Sequence, residues 1–384
     1  MNSKIIPAAL ACGVLSAFLW TGTAMTAPSY QLKPPFDVDA VRLKTGKADR
    51  RPFSCEQPPA PMRDLHMESF YNKEDGSFSV VDPKAYAAYK KASKPASVFE
   101  IGLAGMANRY VRSSPPRAEV AACDLEWLVT WAEGDALLGK VNKNGEYTRK
   151  WIIGSIASAW MQIRDEPSLD SAKKKKVTDW IRRVAEAAKA DFSRDEHLKS
   201  RQNNHLYWAA WGVGAAGMAI DDSRLFDWAM SKARVGIDDI QPDGTLPLEL
   251  ARGQRAYLYH LFAALPLFML ANAAEKNGID LFRQNDNALR RLAELNLKNL
   301  RHPDDFQQMT GKVQDLTHVG TPSDLGWIEI YRQHYQDSHA DTVLQEFRPM
   351  KHSRFGGNIT LLYSQILAKS PKKGDRKEVK DKKG

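Results

Sequence analysis

Cysteine is scarce in this chain, with three in 384 residues. Cys12 lies in an apolar N-terminal run, so only Cys55 and Cys123 remain beyond that run. Two cysteines without a nearby histidine pair do not make the tetrahedral ligand set of a structural zinc site. In an oxidising compartment an even number of cysteines favours one disulfide, and two buried free thiols are the alternative.

Long apolar runs are also rare, and the one at the N-terminus has the form of a secretory signal. Lys4 precedes an apolar segment over residues 5–20, and small residues follow, with possible cleavage after Ala24 or Ala27. The run is short and interrupted for a membrane span. We therefore predict that residues 1–27 direct export and that no segment stays in a membrane after cleavage.

Alternation of apolar and polar residues, the pattern of a half-buried strand, is scarce as well. From about Asp82 onward most segments place apolar residues three and four positions apart, which predicts amphipathic helices. The predicted helices span residues 83–92, 96–111, 117–138, 147–163, 170–191, 204–220, 223–237, 248–275, 285–300 and 324–335. Short connections join them, so each helix can bury one face against a neighbour. The expected fold class is all-α, with helical hairpins curled into an incomplete toroid.

No internal linker and no fixed-period repeat divides the chain, so we predict one folded domain over residues 82–368. Residues 28–63 are rich in proline and lack periodicity, and we predict that residues 28–81 form an extended N-terminal arm and a lid-like loop. Residues 369–384 consist almost entirely of charged residues, glycine and proline. Such a composition cannot bury a core, and we predict a disordered charged tail.

The net charge of +9 narrows the class of partner. Part of this charge lies in the tail, but the folded part still carries clustered arginine and lysine among aromatic residues. Such a surface suits a polyanion, either a nucleic acid or an anionic polysaccharide. An exported protein rarely meets nucleic acid, so we expect a polymer of sugar acids as the partner and no nucleic acid.

Residues 203–211, Asn-Asn-His-Leu-Tyr-Trp-Ala-Ala-Trp, combine a histidine with two carboxamides and three aromatic rings. At 3.6 residues per turn, Asn204, His205 and Trp208 lie near one another at the start of a helix. A buried helix start that Asn203 or Asn204 caps, with His205 as a satisfied core histidine, explains the same residues. A second cluster further along the chain favours a functional interpretation.

The second cluster occupies residues 250–260, where Arg252, Arg255 and Tyr259 recur at helical spacing. One helix face is therefore expected to carry two guanidinium groups and a phenol. The sequence turns apolar directly afterwards, over residues 261–274. This pattern is typical of a helix whose first turns line a cleft, and a solvated arginine face is the alternative.

Together the two clusters, Asn-Asn-His-x-Tyr-Trp-Ala-Ala-Trp and Arg-x-x-Arg-Ala-x-x-Tyr-His, resemble the periplasmic alginate lyases of polysaccharide lyase family five. Further motifs follow in the family's order: Cys-Asp-Leu-Glu-Trp-Leu at 123–128, Arg-Lys-Trp-Ile-Ile-Gly at 149–154, Leu-Phe-Asp-Trp-Ala at 225–229 and Arg-Phe-Gly-Gly at 354–357. The resemblance implies an (α/α) toroid with a deep central cleft and a periplasmic location. It also implies that Cys55 pairs with Cys123, and that the enzyme needs no metal or other cofactor.

The resemblance further implies β-elimination on a 4-linked uronate polymer. Because the C5 proton is only weakly acidic, the reaction needs a group that offsets the carboxylate charge, a base and an acid. Asn204 and Arg252 fit the first role as an amide donor and a fixed cation. His205 fits the base and Tyr259 the acid, with Arg252 and Arg255 favouring its phenolate. Where proton and leaving group are syn, as in mannuronate, the tyrosine alone acts as base and acid beside a neutral His205.

Four residues are expected to contact the substrate. Trp208 lies one turn from His205 and its ring suits stacking on a sugar, with core packing as the alternative. Tyr71 matches an aromatic residue of the family's mobile lid, and Arg255 belongs to the second cluster. Arg354 fits a uronate at a distal subsite, or else it is a surface arginine near a turn. The expected enzyme is a monomer that produces oligosaccharides with 4,5-unsaturated non-reducing ends.

Three other functions fit parts of the sequence. A lyase that acts on polyglucuronate or hyaluronan needs the same groups. A glycoside hydrolase needs two opposed carboxyl groups in the cleft, and Glu249 and Asp243 lie near the second cluster in sequence. A non-catalytic polysaccharide-binding protein needs only the charged and aromatic surface.

Overall fold

Helices make up nearly all of the regular structure in the computed structural model, which describes residues 30–364 except 73 and 318. The helices are α1 (Val38–Thr45), α2 (Pro83–Arg112), α3 (Ala118–Glu133), α4 (Lys143–Ile163), α5 (Ser171–Ser193), α6 (Asn204–Ile220), α7 (Ser223–Asp238), α8 (Pro247–Leu250), α9 (Ala256–Lys276), α10 (Gln284–Lys298), α11 (Asp304–Thr310), α12 (Ile328–His334), α13 (Ser338–Phe347) and α14 (Ile359–Tyr363). Two short strands, β1 (Lys351–His352) and β2 (Gly357–Asn358), pair in antiparallel fashion. The predicted all-α class is confirmed. The predicted secretory signal and charged tail lie outside the described residues.

Acidic and carboxamide side chains start most of the long helices. The N-caps of α2, α4, α5, α6 and α7 are Asp82, Asn142, Asp170, Asn203 and Asp222. Each side chain accepts a hydrogen bond from a backbone N–H two or three residues further on, which satisfies one of the unpaired donors of the first turn. The helix starts are therefore encoded locally.

Consecutive helices pack as hairpins in two layers. The pairs α2 and α3, α4 and α5, α6 and α7, and α9 and α10 are in contact. The first members, α2, α4, α6 and α9, also contact one another in that order, as do α3, α5, α7 and α10. One layer therefore lies inside the other, and the functional clusters at the starts of α6 and α9 both belong to the inner layer.

Helix α6 is buried over its whole length, and His205 is its one residue that is not fully buried. Gly212 allows this close packing, because a Cβ at that position would lie 2.4 Å from the backbone oxygen of Lys150 on α4. The segment Gly253–Lys276 is long and apolar enough to cross a membrane, but 89% of its most apolar window is buried inside the protein. It is a core helix, consistent with its apolar composition.

The predicted break between residues 83–92 and 96–111 is wrong. The two segments form the single helix α2, and Pro95 lies inside it. Proline removes one backbone hydrogen bond and disfavours a helix interior. Here α2 packs against both α3 and α4, and this tertiary packing holds the helix together across the proline.

The predicted helix over residues 248–275 is interrupted. Helix α8 ends at Leu250, a 3-10 turn covers Gly253–Arg255, and α9 begins only at Ala256. Gly253 has φ +56°, a left-handed conformation that glycine adopts readily and that ends a right-handed helix. The first arginine of the second cluster therefore lies before the helix and not on it.

The N-terminal arm contains one helix that periodicity did not predict, α1, with Asp37 as its N-cap. The arm is fixed to α3 by a disulfide between Cys55 and Cys123, so the predicted pairing is confirmed. The Trp127 indole adds a 2.8 Å hydrogen bond to the backbone oxygen of the residue after Cys55. These two contacts attach this part of the arm to α3.

Candidate active site

A cleft of about 1160 Å³ opens where the first turns of α4, α6 and α9 face the loop over residues 68–81. Five of the eight predicted site residues line it: Tyr71, His205, Arg252, Arg255 and Tyr259. Aromatic rings form much of the remaining wall, contributed by Phe70, Phe78, Tyr86, Tyr89, Tyr147, Trp151 and Phe262. The two clusters that are distant in sequence therefore share one cleft.

Tyr259 lies in the first turn of α9, and 8% of its surface is exposed. Its hydroxyl is hydrogen-bonded to the hydroxyl of Tyr71. The guanidinium of Arg252 lies over the Tyr259 ring, 3.6 Å from the centroid. Burial raises the pKa of Tyr259, and the charge of Arg252 opposes this rise without cancelling it. The phenol is therefore protonated at neutral pH. The sequence had led us to expect that the nearby arginines would favour the phenolate.

Arg252 joins this phenol to the loop that covers the cleft. Its Nε donates to the backbone oxygen of Ser77 at 2.9 Å, and its Nη2 donates to the backbone oxygen of Phe78. The expectation that Arg252 and Tyr259 share a helix face is wrong, because Arg252 precedes the 3-10 turn. The chain reversal nevertheless brings the two side chains into contact.

The loop is ordered by its own hydrogen bonds. The Asp75 carboxylate accepts from the backbone N–H groups of Ser77, Ser79 and Val80. The Ser77 hydroxyl and these N–H groups hold the pKa of Asp75 well below its usual range, although partial burial acts the other way. Tyr71 pairs with Val81 across the base of the loop. The hydroxyl of Tyr71 is thereby held against the reactive end of Tyr259.

His205 stands at the start of α6, where Asn203 caps the helix and accepts from the His205 N–H at 3.0 Å. The imidazole stacks on Tyr147, with centroids 3.9 Å apart and an interplanar angle of 10°. Its Nδ1 lies 2.9 Å from the Nζ of Lys150. Burial lowers the pKa of His205 well below its usual range, and the charges of Lys150 and Arg252 lower it further. The imidazole is therefore neutral at physiological pH.

Asn204 does not line the cleft, because its side chain is fully buried behind the wall. Its Nδ2 donates to both carboxylate oxygens of Glu249 at 2.9 Å. Its backbone N–H donates to the same carboxylate at 2.7 Å. Since the amide hydrogens are already bonded, this geometry does not support the expected role of Asn204 as a donor to the substrate carboxylate. Asn204 instead fixes the start of α6.

Trp208 and Arg354 do not line the cleft either. Trp208 is fully buried, and its indole donates to the backbone oxygen of Phe262 at 3.1 Å. The predicted stacking of Trp208 on a sugar is therefore not supported. Trp208 is a core residue, which was the alternative interpretation. The guanidinium of Arg354 lies 4.4 Å from the ring centroid of Trp151 and 5.3 Å from that of Trp208. Arg354 supports the aromatic wall, and Trp151 is the residue that faces the cleft.

The remaining predicted residue, Arg255, lines the cleft and forms a 2.8 Å salt bridge with Asp315. Its guanidinium lies 5.9 Å from the ring centroid of Tyr71. Part of its charge is thus offset by a carboxylate before any ligand binds. Arg252 forms no salt bridge with a carboxylate in the described part of the chain, so less of its charge is offset than that of Arg255.

Sequence reasoning missed several residues of the site, among them Tyr147 and Trp151, which line the cleft. Lys150 is fully buried although it lies within the motif at residues 149–154. The signal was available, since Lys150 shares a helix face with Ile153, Gly154 and Ala157, three, four and seven positions on. The sequence analysis named Glu249 only because it lies near the second cluster. In the structure its carboxylate accepts a hydrogen bond from the Asn204 amide.

Comparison with known sequences gives a consistent result. The model of the alginate lyase family matches residues 66–306. An alginate lyase of Cobetia marina is 33% identical over 375 residues, which cover 94% of this chain and 97% of that protein. An alginate lyase of Pseudomonas putida strain GB-1 is 35% identical over 360 residues, which cover 91% of this chain and 95% of that protein.

Solved structures agree with the sequence comparison. Alginate lyase A1-III from Sphingomonas species A1 matches with a TM-score of 0.73 and 26% identity, covering 86% of this chain and 95% of that one. A tyrosine-to-phenylalanine variant of alginate lyase A1-III, complexed with a tetrasaccharide, matches with a TM-score of 0.74 and 27% identity over 87% and 96% of the two chains. These neighbours have a helical toroid fold, and the predicted toroid is confirmed.

Proposed function

Because the chain belongs to the alginate lyase family, and is therefore a polysaccharide lyase, we propose that it cleaves mannuronate-rich alginate by β-elimination. The products would be oligosaccharides with 4,5-unsaturated uronate at the non-reducing end. One observation carries this proposal: the phenol of Tyr259, the guanidinium of Arg252 and the imidazole of His205 line the same cleft.

The chemistry follows from the acidity of the substrate. Removal of the C5 proton creates a second negative charge beside the sugar carboxylate, and this charge must be offset where it develops. Arg252 supplies a permanent positive charge in the cleft. Tyr259 supplies an oxygen that can exchange a proton beside that charge. Asn204 is left out of this set because its amide is committed to Glu249.

The preference for mannuronate rests on stereochemistry. In mannuronate the C5 proton and the C4 oxygen leave from the same face of the sugar, so one group can serve both. The surroundings of Tyr259 support this proposal, since Arg252 lies over its ring and the Tyr71 hydroxyl is hydrogen-bonded to its own. An anti substrate needs a base and an acid on opposite faces, and it would be cleaved more slowly.

A glycoside hydrolase is less consistent with the site. Such enzymes use two opposed carboxyl groups in the cleft. In the described part of the chain, the carboxyl groups that line the cleft are those of Glu68 and Asp315, and Asp315 is paired with Arg255. Glu249, the earlier candidate, is fully buried against Asn204.

The test is a panel of purified polyuronates: polymannuronate, polyguluronate, polyglucuronate and hyaluronan. We expect unsaturated-product absorbance to rise fastest with polymannuronate. A Tyr259→Phe preparation serves as the control for contaminating lyase. Faster product formation from polyglucuronate than from polymannuronate would overturn the substrate assignment, and new reducing ends without the unsaturated absorbance would overturn the elimination.

We also propose that the enzyme works in the periplasm as a monomer. The apolar run over residues 5–20 supports export, and the Cys55–Cys123 pair suits an oxidising compartment. Cell fractionation and light scattering test the two points, and recovery in the cytoplasm or as a larger assembly would contradict them.

A further inference from the structure

Lys150 is a fully buried lysine on α4 that points at the functional histidine. Its Nζ lies 2.9 Å from Nδ1 of His205 and 2.8 Å from the backbone oxygen of the same residue. A buried lysine is costly unless its hydrogen-bonding capacity is used. Both of these partners belong to His205, so the contact orients one particular imidazole.

Burial and the charges of Arg354 and Arg201 lower the pKa of Lys150 well below its usual range, and the Glu249 carboxylate opposes this only in part. The aromatic rings around the amine act the other way and stabilise the ammonium form. Its Nζ lies 4.8 to 5.2 Å from the ring centroids of Tyr147, Trp151 and Phe192. Aromatic faces attract a cation at this range. The backbone oxygen of His205 can only accept a hydrogen bond, so Nζ donates there. An ammonium has no lone pair and donates to Nδ1 as well.

From this geometry we infer that Lys150 binds as an ammonium and is a positioning residue, which holds His205 in the tautomer that carries its proton on Nε2. The imidazole then presents an N–H donor to the cleft and cannot remove the C5 proton. The inference rests on the proposed function for its meaning in catalysis. It assigns His205 a role beside Arg252, as a neutral donor to the uronate carboxylate.

The second ring nitrogen of His205, Nε2, has surroundings that are consistent with this assignment. His205 lines the cleft, and its Nε2 has no protein partner among the described residues. The charged groups that face the ring are the cations Lys143, Lys150, Arg201 and Arg252, with the Glu249 carboxylate near Lys150. These cations disfavour the imidazolium, so Nε2–H is available in a neutral ring.

The proton balance then passes through Tyr259 alone. Tyr259 reacts as the phenolate, which forms when the phenol releases its proton to solvent and is a small fraction at neutral pH because burial raises the pKa of the phenol. The phenolate takes the C5 proton, the C5–H bond breaks and the C4–C5 double bond forms. The C4–O bond breaks in the same process, and the phenol returns this proton to the departing oxygen. The tyrosine is again a phenolate, and His205 and Arg252 only stabilise charge. This sequence requires the syn arrangement that mannuronate provides.

The first test reads the tautomer directly, without substrate. The protein has nine histidines, and ¹⁵N-histidine labelling gives a distinct pattern of nitrogen shifts for each tautomer. Comparison with a His205→Gln spectrum identifies the signals of His205. We expect a protonated Nε2 and an unprotonated Nδ1. A proton on Nδ1 would overturn the inference, while product formation from polymannuronate would still support the lyase.

The second test compares two buried cations on the same helix. Lys150→Met removes the donor to His205. Arg149→Met is the matched control, since Arg149 is also buried but pairs with Asp191. We expect Lys150→Met alone to give mixed tautomers at His205 and to lower kcat about 10- to 100-fold, less than the loss when a catalytic histidine is held in the wrong tautomer.

A pH profile separates positioning from structural damage. Removal of the Lys150 charge raises the pKa of His205, because a like charge is lost. Lys150→Met should therefore gain a limb below neutral pH in its kcat/KM profile, and Arg149→Met should not. Lys150→Arg retains a donor and should keep the wild-type tautomer. If both methionine variants show the same tautomer and the same profile, Lys150 has no positioning role.

Discussion

The charge of Arg252 should set the proton affinity of Tyr259, and Arg252→Met tests this. The guanidinium lies 3.6 Å from the ring centroid. Coulomb's law at an effective dielectric constant of about 20 gives roughly 4 kcal/mol for unit charges about 4 Å apart. A phenolate spreads its charge over the ring and the cleft admits water, so we take about half. About 2 kcal/mol is roughly 1.5 pKa units, which predicts a loss of about 10- to 100-fold in kcat/KM at neutral pH.

Arg252→Lys is the matched control, because it keeps the charge and loses the paired donors to Ser77 and Phe78. We expect the lysine variant to recover most of the loss in kcat and to show a raised KM. Burial raises the pKa of Tyr259, so kcat/KM of every form should increase with pH through the neutral range as the phenolate fraction grows. The assay is the initial rate of unsaturated-product absorbance at several pH values. Equal rates for the methionine and lysine variants, or a wild-type rate that does not change with pH, would refute the reasoning.

Three further predictions follow from single contacts. Tyr259→Phe should lower kcat about 10²- to 10⁴-fold with little change in KM, and steady-state kinetics that show near wild-type turnover would contradict its role. Glu249→Gln replaces one of the two oxygens that accept from Asn204 by an amide donor. It should lower the free energy of unfolding by about 3 kcal/mol. An unchanged midpoint of denaturant unfolding would contradict the buried contact. Replacement of Cys55 and Cys123 by serine opens a link of sequence separation 68, and should cost about 4 kcal/mol. Equal melting temperatures with and without this disulfide would show that the arm contributes nothing to stability.

The parts of the fold that depend on local signals are predictable from the sequence. Helical periodicity and the N-caps identify α4 to α7 within a few residues, because a capped amphipathic helix is a local property. Two cysteines outside the N-terminal run favour one disulfide but leave two free thiols as an alternative, and the Cys55–Cys123 link was implied by the family resemblance. Prediction failed at Gly253, whose φ of +56° interrupts the helix. The residue type permits this conformation but does not require it.

The side-chain environment of the site could not be predicted in the same way. Periodicity places Trp208 beside His205, but it cannot tell which residues face the cleft on a helix that is enclosed on several sides. Helix α6 contacts α4, α5, α7 and α9, so all but one of its residues are buried. Asn204 fits a substrate donor by residue type, but in the folded protein its amide is already bonded to Glu249, a residue 45 positions away in the sequence.

An acidic and a basic side chain, Glu249 and Lys150, bind the first two residues of α6. Glu249 binds Asn204 through its backbone and side chain, and a negative charge there also suits the positive end of the helix dipole. Lys150 binds the next residue, His205, through its ring and its backbone oxygen. Burying two such groups is unfavourable compared with apolar packing, so helix stability alone does not explain them. What the pair does provide is one fixed orientation of one imidazole at the edge of the cleft, and a positioned donor needs no rearrangement when charge develops on the substrate.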